Sequence, residues 1–423
     1  MSRIYSLFIR LIRHELITGS FFIFIGGTIA NFLAFILNLF FARNLSYSDY
    51  GILAALLSLF NLATIPAQSI SAVIVRFASQ FLFGNEEEKA SSLFKKLFSL
   101  FTLLGAIAMV VMYVLSPSIG KFLRINDHFL VIVLVFTVVL NYLLTINLAF
   151  LNSLLRFKFI SISGLLGGIV KLGIGVSLVL LGLSVYGALA AIIGMVVFQL
   201  ILTLIPLKGL ILKRVKEVKL PYREIINYSF PASLAIFSLF SFISSDVILV
   251  KHFYSETMAG LYGGLSLVGR TIFYFTAPIP YVMFPLLVKR HSGGKSYKNL
   301  LYLALVLVSV PSVLITLFYF LFPELTINIF LAGREYLTIA SYLGLFGIFL
   351  TIFNINNVLV SFYLSLKDLK VSIYIFFCAV IQIILIYLFH QNFQTIILDS
   401  IASSSLLLGV LILYYIRHYF PRP

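Results

Sequence analysis

Apolar residues in this chain come in long unbroken runs rather than in alternation. A stretch such as "FLVIVLVFTVVL" at 129–140 is apolar at both odd and even positions, which fits neither a half-buried strand nor a one-sided surface helix. Runs of about 20 residues recur from Phe21 to Tyr415, each long enough at ~1.5 Å per residue to cross a ~30 Å hydrocarbon layer. The pattern predicts twelve helical spans, at 20–42, 50–77, 97–119, 129–152, 159–182, 185–207, 225–250, 260–288, 299–322, 338–362, 370–389 and 395–416. A membrane barrel would instead show alternating segments of about 10 residues. The first run exceeds the ~7–15 apolar residues of a signal peptide and eleven more follow it, so it is read as a retained span. The expected fold class is therefore an all-α polytopic membrane protein.

Composition agrees, since 61% apolar and 10% charged residues leave too little polar surface for water to surround the chain. The net charge of +16 changes the picture only through its distribution. With the N-terminus inside, inner segments hold 22 of the 30 Lys and Arg, outer loops hold 5, and Arg76, Lys171 and Arg270 lie within spans. This asymmetry is the positive-inside pattern, and it places the N- and C-termini in the cytoplasm. The basicity needs no nucleic acid. Part of it, above all "KGLILKRVKEVKLPYRE" at 208–224, is suited to anionic lipid headgroups. The single cysteine, Cys378, excludes a disulfide framework, and the six scattered histidines form no metal motif. No cofactor or metal is expected.

Halving the chain at its longest inner loop gives six spans on each side. "SYSDYGILAALLSL" at 46–59 falls opposite "SETMAGLYGGLSLV" at 255–268, "LLRFK" at 154–158 opposite "LSLKD" at 364–368, and Pro117 opposite Pro323. Each half has an even number of spans, so the repeat is parallel. The expected organisation is an N-terminal six-helix lobe at 1–207, a basic cytoplasmic linker at 208–224 and a C-terminal six-helix lobe at 225–423, facing one another across a cleft.

Three segments, "FFARNLSYSDYGILAALLSL" at 40–59, "LLRFKFISISGLLGGIVKLGIGVSLVLLGLSVYGALAA" at 154–191 and "FLAGREYLTIASYLGLFGI" at 330–348, carry a family likeness. Through them the chain resembles the polysaccharide and oligosaccharide flippases of the multidrug/oligosaccharidyl-lipid/polysaccharide (MOP) exporter superfamily. The resemblance implies a multi-pass protein of the cytoplasmic membrane working by alternating access. It implies as cargo a polyprenyl-(pyro)phosphate-linked saccharide, and as neighbours the glycosyltransferases of the same pathway. It also allows a Na⁺ or H⁺ coupling site among the helices of one lobe. Two other classes stand beside this one. A drug:cation antiporter of the same superfamily would favour an acidic cleft, against the excess of buried bases here. A membrane-embedded glycosyltransferase or polymerase would commonly carry a sizeable outer loop, whereas the outer loops here have about 15 residues or fewer, so no enzyme activity is expected.

Moving a saccharide pyrophosphate through a low-dielectric layer calls for cations facing water or ligand at membrane depth. Arg270 and Lys171 are the deepest bases, Arg76 lies near the inner end of its span, and Arg43 and Lys251 stand at the outer ends of the first span of each half. Arg270 shares a helical stripe with Gly263, Ser266, Tyr274 and Ala277 or Pro278, read as a cleft wall in which the guanidinium holds phosphate oxygens and Tyr274 meets the sugar; an arginine that snorkels or pairs with a carboxylate is the structural alternative. Lys171 sits among Gly167, Gly168 and Gly175, a spacing that also serves close helix packing. Headgroup anchoring is the competing role for Arg76 and Arg43. Asn31 and Asn38, seven apart on the first span, share one face and are suited either to the cleft or to interhelical hydrogen bonds. Asp246 and Asp399 lie at one depth with Gln382 in reach of it, an arrangement for cation coupling; pairing of Asp246 with Lys251 is the structural alternative.

Overall fold

The structure is a computed structural model that describes residues 15–84, 86–213, 222–292, 298–333 and 335–419. Among the described residues every regular element is helical, and eleven helices are long and apolar enough to cross a membrane, or twelve if one bent pair counts as a single span. The first half contains α1 (Glu15–Asn44), α2 (Tyr47–Phe83), α3 (Glu87–Leu123), α4 (Phe129–Ser153), α5 (Phe157–Leu180) and α6 (Ser184–Leu212). Each of these matches one expected span.

The second half is more broken. Its first span is split into α7 (Tyr222–Ser241) and α8 (Ser245–Phe253), bent by 51°. The stretch expected as one helix at 260–288 is three pieces, α9 (Glu256–Gly269), α10 (Thr271–Thr276) and α11 (Pro278–Ser292), the last opening on a proline that cannot donate to the preceding turn. Then follow α12 (Lys298–Leu321), the short α13 (Pro323–Leu331), a 3₁₀ turn at Glu335–Tyr342, α14 (Leu343–Ser365), α15 (Val371–Leu388) and α16 (Phe393–Tyr419).

The repeat is visible in side-chain and backbone detail. Ser46 and Ser255 cap α2 and α9, accepting from the N–H of Asp49 at 3.1 Å and of Met258 at 3.4 Å. Left-handed residues end equivalent helices, Arg124 (φ 51°) after α3 and Ala332 (φ 52°) after α13. Leu155 (φ 57°) and Lys367 (φ 59°) occupy the same place in the hairpins α4–α5 and α14–α15. At that hairpin the sequence match of 154–158 with 364–368 is therefore two residues out of register. Asn147 donates to Thr203 Oγ1 at 3.0 Å, tying α4 to α6, and Asn356 donates to Ser404 O at 2.9 Å, tying α14 to α16.

Compactness divides the chain differently from the expected lobes. One unit comprises residues 1–38, 66–120 and 127–226; the other comprises 39–65, 121–126 and 227–423. The second unit thus includes the end of α1 and the beginning of α2. In the first unit Ile74, Phe94, Phe150 and Leu207 form a buried apolar cluster. In the second, α14 is the most buried span, held by Thr316–Thr351 (2.9 Å) and by Tyr363 donating to Leu411 O (2.7 Å). Elsewhere large apolar side chains stand exposed in stripes, such as Leu103, Val110 and Val114 on α3, the expected outcome where the solvent is lipid tails.

Candidate functional site

The break between α7 and α8 organises the polar interior of the second unit. Four residues, Ser241, Ser244, Ser245 and Asp246, are buried around it. Interrupting a helix frees backbone carbonyls that membrane surroundings cannot solvate. Two side chains from other helices take up the two carbonyls. Gln382 of α15 donates to Phe242 O at 3.0 Å and to Ser400 Oγ of α16 at 3.0 Å, and the Arg270 guanidinium donates to Ile243 O.

Asp246 stands in the first turn of α8, where the helix dipole favours an anion. It is fully buried, and its Oδ2 accepts from Tyr262 of α9 at 3.0 Å. The backbone N–H groups of Asp246 and Val247 lie near the carboxylate, but Oδ1 has no well-formed hydrogen bond. Arg270 caps the C-terminus of α9, within electrostatic reach of Asp246 and of Tyr50 from α2. The two charges form no contact ion pair, and Arg270 Nε is buried without a partner. Gln382 Oε1 and Ser266 Oγ are likewise unsatisfied. The cluster thus offers a carboxylate and neighbouring oxygens to a proton or small cation, and a guanidinium with an unpaired N–H to an anion.

The expected site residues distribute as follows. Arg270, Asp246 and Gln382 converge on the break, and Asp246 is not paired with Lys251. Asp399 precedes Ser400 in sequence, yet its carboxylate makes no hydrogen bond to Asp246 or Gln382 and its Oδ2 is unsatisfied. The stripe around Arg270 is not an open wall: the helix is interrupted there, Ser266 is buried, and a side chain on Gly263 would meet Ala54 Cβ at 3.0 Å. Tyr274, on α10, is 41% exposed and lies within electrostatic reach of Tyr50.

Arg43 is committed to structure at the end of α13, donating to Phe330 O at 2.8 Å and to Ile329 O. In the first unit Lys171 lies on α5 between buried Gly168 and Gly175, a half-buried ammonium with no hydrogen bond or ion pair among the described residues. Gly168 faces Ala30 and Leu33 of α1, and a side chain on Gly167 would strike Gln199. Asn31 is exposed and Asn38 half-buried on α1. The side chain of Arg76 lies outside the described residues, as do residues 214–221 of the basic run at 208–224. Tyr262 and Ser400 escaped the sequence reading because each meets its partner from another helix. The serines at 241, 244 and 245 were a readable sign of the break.

A family profile described as polysaccharide biosynthesis protein matches residues 40–341. The chain belongs to that family. No curated protein sequence matches significantly. Among solved structures the fold is similar to lipid II flippase MurJ in an inward closed conformation, with TM-score 0.70, 17% identity and coverage of 93% of this chain and 87% of that one. It is similar to an inward-facing multidrug-resistance MATE transporter of the MOP superfamily, with TM-score 0.69, 14% identity and coverage of 93% and 96%. A third similar structure is a MOP-superfamily transporter from Pyrococcus furiosus, described by the reversed polarity of its binding pocket, with TM-score 0.62, 15% identity and coverage of 95% and 96%. The chain is thus a polytopic membrane protein with the fold that these transporters share.

Proposed function

We propose that the protein is a flippase that moves a polyprenyl-(pyro)phosphate-linked saccharide across the cytoplasmic membrane by alternating access, with cation movement as the driving force. The observation that carries this reading is the Arg270 guanidinium at membrane depth, whose Nε is buried without a partner. Arg270 and Lys171 both lie within spans and neither is in a contact ion pair among the described residues. Bases at membrane depth without a contact ion pair are arranged for an anionic cargo and repel a cationic drug. Membership of a polysaccharide biosynthesis family supports the saccharide, and the fold it shares with a lipid II flippase supports a lipid-linked form. Binding and transport without bond chemistry are enough for this role, so no enzyme activity is assigned.

In this account Arg270 binds phosphate oxygens, while Asp246 with Gln382 takes the coupling Na⁺ or H⁺. Because Asp246 and Arg270 are electrostatically coupled, neutralising the carboxylate by proton or cation loosens its hold on the guanidinium and frees it for cargo. Both termini are assigned to the cytoplasm, with the glycosyltransferases that build the cargo acting on the same side.

The test is made in cells whose own flippase is depleted. Arg270→Ala should leave the lipid-linked precursor on the cytoplasmic leaflet while protein abundance is unchanged. Arg270→Lys should rescue only in part, because an ammonium lacks the bidentate geometry. Normal export by the alanine variant would refute the assignment.

A further inference from the structure

At the end of the second unit that carries the start of α9, a group of polar contacts serves neither the cation site nor the cargo site. The first turns of α2 and α9, equivalent helices of the repeat, cross so closely that a side chain on Gly51 would stand 2.7 Å from the nitrogen of its own equivalent, Gly260. Ser48 Oγ of α2 donates to Glu256 Oε2 of α9 across this crossing. Around it Tyr336 donates to Ala42 O at 3.1 Å and packs edge-on against Tyr47 at 5.0 Å. With these contacts in place α2 is fastened to α9 and the crossing of the two helices is shut.

One residue beside the fastening is left unsatisfied. Lys251, five residues before Glu256 at the end of α8, is 1% exposed, and its Nζ has no hydrogen-bond partner. Among the described residues the charged groups within its reach are Glu256, which is engaged by Ser48, and Arg124, which repels it. A buried ammonium with no partner is a costly arrangement. It destabilises the shut conformation unless something else changes.

We propose that Glu256 is a latch that alternates between Ser48, when α2 lies against α9, and Lys251, when the two helices part. The proposal rests on the alternating-access reading above. Withdrawal of α2 takes Ser48 from Glu256 and leaves the carboxylate free in the first turn of α9. Turning to Lys251, it forms the ion pair that the shut conformation lacks. The open conformation gains a charge-assisted contact as it loses the packing of Gly51 on Gly260 and the contacts of Tyr336. Offsetting gains of this kind hold two conformations near balance, which a carrier needs in order to cycle. Glu256 and Lys251 are in this sense positioning residues that touch no cargo.

The experiment uses the full-length protein in lipid vesicles, with Cys378→Ser and a reporter cysteine at Ala54, which faces Gly263 where α2 meets α9. The rate of reaction with a membrane-impermeant maleimide, added on the side of residues 254–257, reads the parting of the two helices. Glu256→Gln keeps an acceptor for Ser48 but cannot neutralise Lys251, so labelling should slow about ten-fold, the scale of one charge-assisted hydrogen bond. Lys251→Met should slow it similarly, and the double variant no further than either single one. Ser48→Ala should speed it. Misfolded protein would label faster, so slowing cannot come from loss of structure. Unchanged or faster labelling in Glu256→Gln, or effects of Glu256→Gln and Lys251→Met that add in full, would overturn the latch. No cargo is present in this measurement, so its failure leaves the transport reading to be judged by its own assay.

Discussion

Gln382 shows how one side chain at membrane depth can hold several helices together. Its amide joins the carbonyl freed at Phe242 to Ser400, and replacement by leucine would leave that carbonyl buried and unpaired. Such a group costs about 1–3 kcal/mol, so Gln382→Leu should lower the midpoint of thermal unfolding in detergent, while Ser400→Ala, which leaves Phe242 O satisfied, should lower it less. Equal midpoints for wild type and Gln382→Leu would show that the bond does not form. Tyr262→Phe removes the hydroxyl that donates to Asp246 and should change the Na⁺ or pH dependence of transport without altering protein abundance. An unchanged ion dependence would remove Asp246 from the coupling site. The depth of Arg270, Lys171 and Asp246 was legible in the sequence because a charge inside an apolar run stands out. Their partners were not, since Tyr262, Ile243 and Ser400 are brought to the site by packing between helices, which no local pattern encodes.

Helices of the first half follow the hydropathy pattern closely, because each is a continuous run bounded by polar loops. Departures concentrate in the second half. The run at 225–250 is apolar throughout, and only the serines between 241 and 245 mark where the helix stops. The break at Arg270 has no proline or glycine beyond Gly269 at the site itself, and it becomes intelligible once the side chain is seen reaching the carbonyl of Ile243. At the crossing of α2 and α9, Gly260 lies so close to the carbonyl of Tyr47 that any side chain must push the helices apart. Gly260→Val should therefore speed maleimide labelling of a cysteine at Ala54. Labelling as slow as in the parent would mean that the helices do not cross this closely.

For the molecule as a whole, the helical spans, eleven or twelve among the described residues, were readable because lipid imposes length and composition on every crossing segment. The partition into compact units was not. The end of α1 and the start of α2 belong by sequence with the first half, but they pack within the second unit through Ser48, Gly51 and Tyr336, contacts between segments more than 200 residues apart. Orientation rests on the distribution of basic residues. A cysteine placed at 213–219 should react only with reagents that enter the cytoplasm, and one at 254–257 with impermeant external reagents; the reverse would invert the assignment. Reconstitution reads the identity of the cargo. Purified protein in vesicles carrying a polyprenyl-pyrophosphate-linked oligosaccharide should expose that lipid to an enzyme added outside, at a rate set by a Na⁺ or proton gradient. The same vesicles should move no cationic drug, and Arg270→Ala should abolish the lipid movement. Gradient-driven movement of a cationic drug with no movement of the saccharide lipid would contradict the account.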